Sequence, residues 1–349
     1  MLRVRRDRIE RSKPRFSRGP QRRGILHGAF TEGSNAGAGD FVAASLCRGV
    51  NRLGPALRHS AVATTRLDQK SQGMKLSAMT DKNTALVPEE GWHCLHLYYR
   101  IEYGQWQLLS RDEQNAAKTN LSSLVQEVRA IESTQLLTLS MVTPKAEIGF
   151  MLITPDLHNA NKIEKRLSLS LGADVLSPVY SYVSLTEESE YATSEDEYAQ
   201  TLEPSVRNDQ AKLDQALAAF RERMKHYRQE RVYPTLPDWP VVCFYNMSKR
   251  RGEQRNWYAL PYDERRKLMK GHAAVGREFA GKVKQLITGS TGVDDAEWGV
   301  TLFARDTFQI KAIVYKMRFD PVSAEYADFG EFYIGIQLPL DELFRRLQL

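Results

Sequence analysis

One order of predicted strands and helices runs twice along this chain of 349 residues. Each copy begins with a strand at a tryptophan, Trp92 in the first copy and Trp239 in the second, 147 residues apart. Strands are predicted where aromatic and β-branched residues cluster, and helices where apolar residues recur every three or four positions. The predicted elements are strands at 92–103, 135–142, 147–154 and 176–185 with helices at 111–132 and 158–170, then strands from 239, at 283–289, 297–304 and 332–338 with helices at 262–282 and 306–316.

Each copy therefore has the order β-α-β-β-α-β, which is the ferredoxin-like unit. Its antiparallel sheet buries one face under two helices, and the other face also needs a cover. Two such sheets packed against each other in one chain satisfy both faces. We therefore predict an α+β fold in which two ferredoxin-like halves, at 89–186 and 231–349, pack as a dimeric α+β barrel.

The residues between the halves, 187–230, are predicted to form an acidic linker and a connecting helix. Residues 187–198 carry six carboxylates and few large apolar groups, which is typical of a solvated linker. The helix that follows has apolar residues spaced by 4, 3, 4 and 3 positions. These residues are Leu213, Leu217, Phe220, Met224 and Tyr227.

The net charge of +6 is unevenly distributed. Residues 1–73 hold 15 Lys+Arg and 5 Asp+Glu, a balance of +10, so the rest of the chain has a balance of −4. An acidic body argues against nucleic-acid binding by the folded part. We expect residues 1–75 to be a disordered basic extension or an over-long start; a targeting peptide and a basic arm for nucleic acid or membrane are the alternatives.

Two further features bear on location. No apolar run approaches the ~18 residues that span a bilayer. The three cysteines, Cys47, Cys94 and Cys243, are odd in number and have no CxxC spacing, which is typical of reduced thiols in a reducing compartment. We therefore expect a cytoplasmic protein without a transmembrane segment.

His272 is the first candidate for chemistry. It lies on an apolar stripe of the predicted helix 262–282, so its ring is expected to point inward. A core histidine satisfied by the backbone and a haem or metal ligand both fit this position. The flanking Gly271 and Gly276 each cost the helix roughly 1 kcal/mol relative to alanine, but they would let a flat macrocycle approach.

Other candidates lie at the ends of predicted elements. Alternation along the strand that begins at Trp239 places Tyr245, Met247 and Lys249 on one face. A further set of polar and cationic residues lies at the ends of other elements. Each of them alone is most simply a surface or capping residue. As a group, they could bind carboxylates. These residues are Arg231, Asn256, Arg318 and Ser323. No P-loop, HExxH, GxSxG or zinc spacing is present in the sequence.

Residues 90–338 resemble the coproheme decarboxylases, the haem-synthesising branch of the chlorite-dismutase family. The resemblance rests on the segments FYNMSKRR, NWYALPYDERRKLMKGHAAVGREFAGKVKQLITGSTGVDDAEWGVTLF and IVYKMRFDPVSAEYADFGEFYIG, and on SYVSLTE in the first half. The resemblance implies a hydrogen-peroxide-dependent conversion of two propionates of coproheme to vinyl groups, which gives haem b. It also implies a homopentamer that could receive coproheme from a ferrochelatase, with the porphyrin bound in the carboxy-terminal half.

The resemblance also implies residue roles. His272 would be the proximal iron ligand, Tyr245 the residue oxidised to a radical, and Lys249 its partner beside the reacting propionate. Gln285 would lie on the distal side, where chlorite-degrading members have an arginine, so the decarboxylase is favoured over a chlorite- or peroxide-degrading haem enzyme. A non-catalytic haem-binding protein is the other alternative. Arg231, Met247, Arg318 and Ser323 would surround the propionates and ring edge. The sequence departs from the family at Asn246, where a proline is expected.

Overall fold

The structure, a computed structural model, describes residues 84–349, and the interpretations offered for residues 1–75 lie outside them. The strands are β1 (His93–Ile101), β2 (Gln135–Met141), β3 (Ile148–Thr154), β4 (Leu176–Thr186), β5 (Val241–Lys249), β6 (Val283–Gly289), β7 (Trp298–Ala304) and β8 (Ala327–Gln337). The helices are α1 (Tyr103–Leu108), α2 (Arg111–Arg129), α3 (Leu157–Ser168), α4 (Glu195–Thr201), α5 (Pro204–Arg207), α6 (Gln210–Val232), α7 (Tyr262–Arg277), α8 (Thr307–Met317), α9 (Pro321–Tyr326) and α10 (Leu340–Arg346).

The eight strands close into a barrel in the order β1-β3-β2-β8-β5-β7-β6-β4. Every pairing is antiparallel. Four consecutive positions of the ring belong to each half, and the halves join where β2 meets β8 and where β4 meets β6. The predicted α+β barrel of two ferredoxin-like halves is confirmed.

The barrel has an apolar interior and two covered outer faces. Side chains from both halves fill the interior, including Met151 and Phe303. On the outer face of the first half, α2, α3 and α10 pack through residues such as Leu121, Ile163 and Leu343. The outer face of the second half carries α7, α8 and α9. The free thiols of Cys94 and Cys243 are buried, and burial raises the pKa of each to about 12.

Several elements differ from the sequence prediction. Helix α7 ends at Arg277 rather than near 282, and Gly281 follows with a φ of +76°, a conformation that favours glycine. Strand β8 begins at Ala327 instead of 332, directly after α9. Helices α1, α4, α5 and α10 were not predicted.

The acidic segment 187–198 is solvent-accessible and carries ordered contacts. Its carboxylates form ion pairs with cations of α6 and α7, among them Glu195 with Arg221 (2.7 Å) and Glu197 with Arg266. Ser194 caps α4, which begins inside the segment, through a reciprocal pair of hydrogen bonds with Glu197. The segment therefore connects the two halves along a defined path.

Candidate functional site

Helix α7 covers its sheet differently from α2, the corresponding helix of the first half. Four large apolar residues of α2 are buried: Leu121, Leu124, Val125 and Val128. On α7 only Gly276 is buried, and the helix packs on α8 and α9 rather than closely on the strands. A helix that leaves its apolar stripe half-covered leaves room between itself and the sheet. We infer a groove at this place, between α7 and the outer face of β5 and β6, and call it the α7 groove.

His272 lies on α7 at this groove. Its Nδ1 atom is 2.7 Å from the Asp320 Oδ2 atom, and 29% of its side chain is exposed. The carboxylate therefore occupies one ring nitrogen and leaves Nε2 available, which is the arrangement by which proteins orient metal-binding histidines. The described residues contain no cluster of three or more His, Cys, Asp or Glu side chains that could hold a metal ion. An isolated imidazole of this kind suits a metal that brings its other ligands with it, as haem iron does.

Asp320 is held by α9 as well as by His272. It is the N-cap of α9, and its Oδ2 atom accepts a hydrogen bond from the backbone N–H of Ser323 at 3.1 Å. Burial alone would raise the pKa of Asp320, but the hydrogen bond and charge of His272, the Ser323 amide and the charge of Lys249 hold it below its usual value. A buried carboxylate thus links the imidazole to the lysine.

Lys249 is a buried cation at the end of β5. Only 8% of it is exposed, and its ammonium lies 4.3 Å from the centroid of the Trp257 ring. Burial lowers the pKa of Lys249 to about 8, and the charges of Asp320 and Glu297 limit that fall. The ammonium forms no ion pair within 4.0 Å and no hydrogen bond among the described residues. A buried ammonium without an acceptor is suited to bind an anionic group.

Tyr245 lies on the same strand, in the apolar outer face. Its ring stacks on Phe332 with centroids 4.5 Å apart and lies 5.8 Å from Phe329. The Arg318 guanidinium lies 3.7 Å from the Phe329 ring centroid. Burial raises the pKa of the Tyr245 phenol, the nearby Cys243 thiol adds to this, and the Arg318 charge opposes it. The phenol is therefore neutral and is held in an aromatic wall.

The other residues predicted for the site lie on several elements of the second half. Met247 packs in the same outer apolar cluster as Tyr245. Gln285 is exposed on β6 and faces α7, since a Cβ at Gly276 would lie 3.2 Å from its Nε2 atom. Ser323 is buried at the Asp320 cap.

Arg231 lies at the end of α6. Its charge acts on Glu187, whose carboxylate contacts Gly289 at the end of β6. Its Nε atom is buried without a hydrogen-bond partner. No hydrogen bond or ion pair within residues 84–349 joins it to the other seven predicted residues.

Three residues of the site were not singled out from the sequence. Asp320 pairs with a histidine 48 positions away, and the only local signal was an N-cap pattern, Asp before Pro321 with Ser323 three positions on. Trp257 and the buried Glu297 flank Lys249, and Glu297 accepts a hydrogen bond of 2.6 Å from the Lys249 backbone N–H. These contacts join distant segments, which local patterns do not reveal.

Known proteins share both the sequence pattern and the barrel. The profile of the family described as chlorite dismutase matches residues 114–338. A heme-binding protein from Thermus thermophilus is 36% identical, with a TM-score of 0.62, over 74% of this chain and 96% of that protein. The chain belongs to the chlorite dismutase family.

More distant structures agree with this assignment at the level of the fold. A chlorite dismutase from Candidatus Nitrospira defluvii, solved in complex with imidazole, is 15% identical with a TM-score of 0.57, over 75% of this chain and 97% of that one. At that identity the likeness supports the family's fold alone. No helix in residues 84–349 is long and apolar enough to cross a membrane.

Proposed function

We propose that this protein is a peroxide-dependent coproheme decarboxylase. The observation that carries the proposal is the hydrogen bond of His272 to Asp320, with the charge of Lys249 acting on the same carboxylate. Lys249 in turn shares one face of β5 with Tyr245. Membership of the chlorite dismutase family supports a haem-type ligand, as does the similar Thermus protein, which is described as heme-binding.

The residues present fit a flat porphyrin with several carboxylates. The half-covered stripe of α7 leaves an apolar face, and Gly276 has no side chain to fill the space in front of Gln285. The Lys249 ammonium has no ion pair or hydrogen bond among the described residues, and a propionate would supply an acceptor for it. Arg231, whose Nε atom is buried without a partner at the end of α6, is the second cation proposed for the propionates. His272 would hold the iron, and Gln285, Met247, Arg318 and Ser323 would border the ring and its substituents.

Bound coproheme would supply the iron that reacts with hydrogen peroxide. The overall change at each propionate balances as one propionic acid side chain plus one H₂O₂ giving one vinyl group, one CO₂ and two H₂O. The C–C bond to the carboxylate and one C–H bond at the β-carbon break, while the side chain loses two electrons and peroxide gains them. Two such events convert coproheme to haem b.

Tyr245 and Lys249 would divide the work on the reacting propionate. The Tyr245 phenol keeps its proton because burial raises its pKa, so it is suited to lose an electron and a proton together and then to take hydrogen from the β-carbon. The Lys249 ammonium would bind the carboxylate. With a pKa of about 8, it stays largely protonated at neutral pH and so keeps the charge that attracts the carboxylate.

Product mass after addition of coproheme and peroxide tests the proposal. We expect loss of two CO₂ per coproheme in the wild-type protein and no loss in Tyr245→Phe, which removes only the hydroxyl. Tyr315→Phe is the matched control, since Tyr315 is exposed on α8. Tight coproheme binding without any decarboxylation would instead assign a non-catalytic haem-binding role, and oxygen release from chlorite would assign the chlorite-degrading alternative. Either result would overturn the proposal.

The assembly and setting of the protein are proposed from the resemblance. A homopentamer, a cytoplasmic location and a ferrochelatase that delivers coproheme all stay predictions. Sedimentation velocity of the purified chain tests the first of these, and a single species of five times the protomer mass is expected.

A further inference from the structure

Strand β8 contains one extra residue opposite Asn246. In the pairing of β5 with β8, Tyr245 lies opposite Phe332 and Met247 lies opposite Phe329, so three steps on β8 match two steps on β5. The pairing of β5 with β7 continues through Asn246 without a shift. The irregularity is therefore a β-bulge in β8 at Gly330 and Glu331.

On the side that faces the barrel interior, the bulge packs against the Asn246 side chain. The Asn246 side chain donates a hydrogen bond to the Tyr180 hydroxyl, whose ring belongs to the aromatic cluster in the barrel interior. Its amide fills the space in front of Gly330, where an added Cβ would overlap the amide oxygen and lie 2.7 Å from Asn246 Cγ. A larger residue at position 330 would therefore have to displace the Asn246 amide.

The bulge also decides what surrounds Tyr245. In a regular strand, residues three positions apart point to opposite faces. The extra residue places both Phe329 and Phe332 in the outer apolar cluster, where they contact the Tyr245 ring. The Arg318 guanidinium in turn lies over the Phe329 ring. The aromatic wall around Tyr245 therefore depends on the position of the extra residue in β8.

We propose that Asn246 is a positioning residue: together with Gly330 it fixes the β8 bulge and thereby holds the Tyr245 phenol between Phe329 and Phe332. Asn246 reaches Tyr245 through the backbone and the bulge, from the opposite face of the sheet. The importance of this position rests on the proposed function, but the positioning itself is a property of the protein without porphyrin.

The first test uses the full chain with 3-fluorotyrosine at position 245, observed by ¹⁹F NMR without porphyrin. In Asn246→Ala we expect the Tyr245 signal to shift or split, while the same label at the exposed Tyr315 stays unchanged. With coproheme and peroxide, we expect turnover to fall about tenfold, because small displacements of a reacting group are costly, with a coproheme Kd changed by less than about twofold. An unchanged Tyr245 signal would overturn the proposal.

The second test is a double-mutant cycle. Gly330→Ala should perturb the Tyr245 signal strongly in the wild-type background and only weakly when Asn246→Ala has removed the amide. Gly104→Ala, where an added Cβ meets nothing within 4 Å, is the matched control. Equal effects of Gly330→Ala in both backgrounds would refute a shared role. If the wild-type protein fails to decarboxylate coproheme, the proposed function falls, and the NMR results still decide whether Asn246 positions Tyr245.

Discussion

Replacing Lys249 by methionine should make the protein more stable and inactive at once. The folded state holds this ammonium without an ion pair, and its pKa falls from 10.5 to about 8. That difference corresponds to roughly 3 kcal/mol of destabilisation at neutral pH. The contact with the Trp257 ring offsets about 0.5–2 kcal/mol. We therefore expect Lys249→Met to gain ~1–3 kcal/mol, since methionine is a flexible apolar side chain that fills similar space.

The lowered pKa of Lys249 also predicts how the stability difference between the two proteins changes with pH. Between about pH 8 and 10.5 the unfolded chain keeps Lys249 protonated while the folded protein has released the proton, so the wild-type stability rises with pH in this window. The advantage of Lys249→Met should therefore shrink from pH 7 to pH 10.5. Urea unfolding of both proteins across this range measures it, with the exposed Lys267→Met as the control, expected within about 0.5 kcal/mol of wild type. A variant less stable than wild type at pH 7, or an advantage independent of pH, would refute the reasoning.

Three further changes have defined outcomes. Asp320→Asn should weaken coproheme binding by about 10–100-fold in a spectroscopic titration, because the carboxylate partner of His272 is lost; unchanged affinity would remove Asp320 from the site. Gly276→Val should also weaken binding in that titration, since an added Cβ already lies 3.2 Å from the Gln285 amide, and unaltered binding would argue against the α7 groove. Phe150→Ala, fully buried in the first half, should cost about 3–5 kcal/mol in urea unfolding, and a loss below about 1 kcal/mol would contradict its assigned packing.

The regular elements were predictable because each has one dominant period. The alternation after Trp239 and the spacing around His272 predicted β5 and α7, and both form. The start of β8 was not predictable, because the bulge at Gly330 interrupts the two-residue period and the short α9 precedes the strand. Local irregularities of this kind carry no repeating signal.

The candidate site divides in the same way. Tyr245 and Lys249 share a strand, so their common face follows from alternation alone. The Asp320–His272 pair joins α9 to α7, and this contact depends on tertiary packing. The ion pairs of the acidic segment with Arg221 and Arg266 have the same origin, since they join segments that are distant in the sequence.

Closure of the barrel has a consequence for the division of labour between the halves. The second half carries the candidate chemistry, but two of its strands, β6 and β8, would be bare edges without β4 and β2 of the first half. The first half therefore supplies the neighbouring strands that the sheet of the second half needs. Because strands of the first half complete the barrel, the sheet of the second half stays closed although helix α7 packs on α8 and α9 rather than closely on the strands.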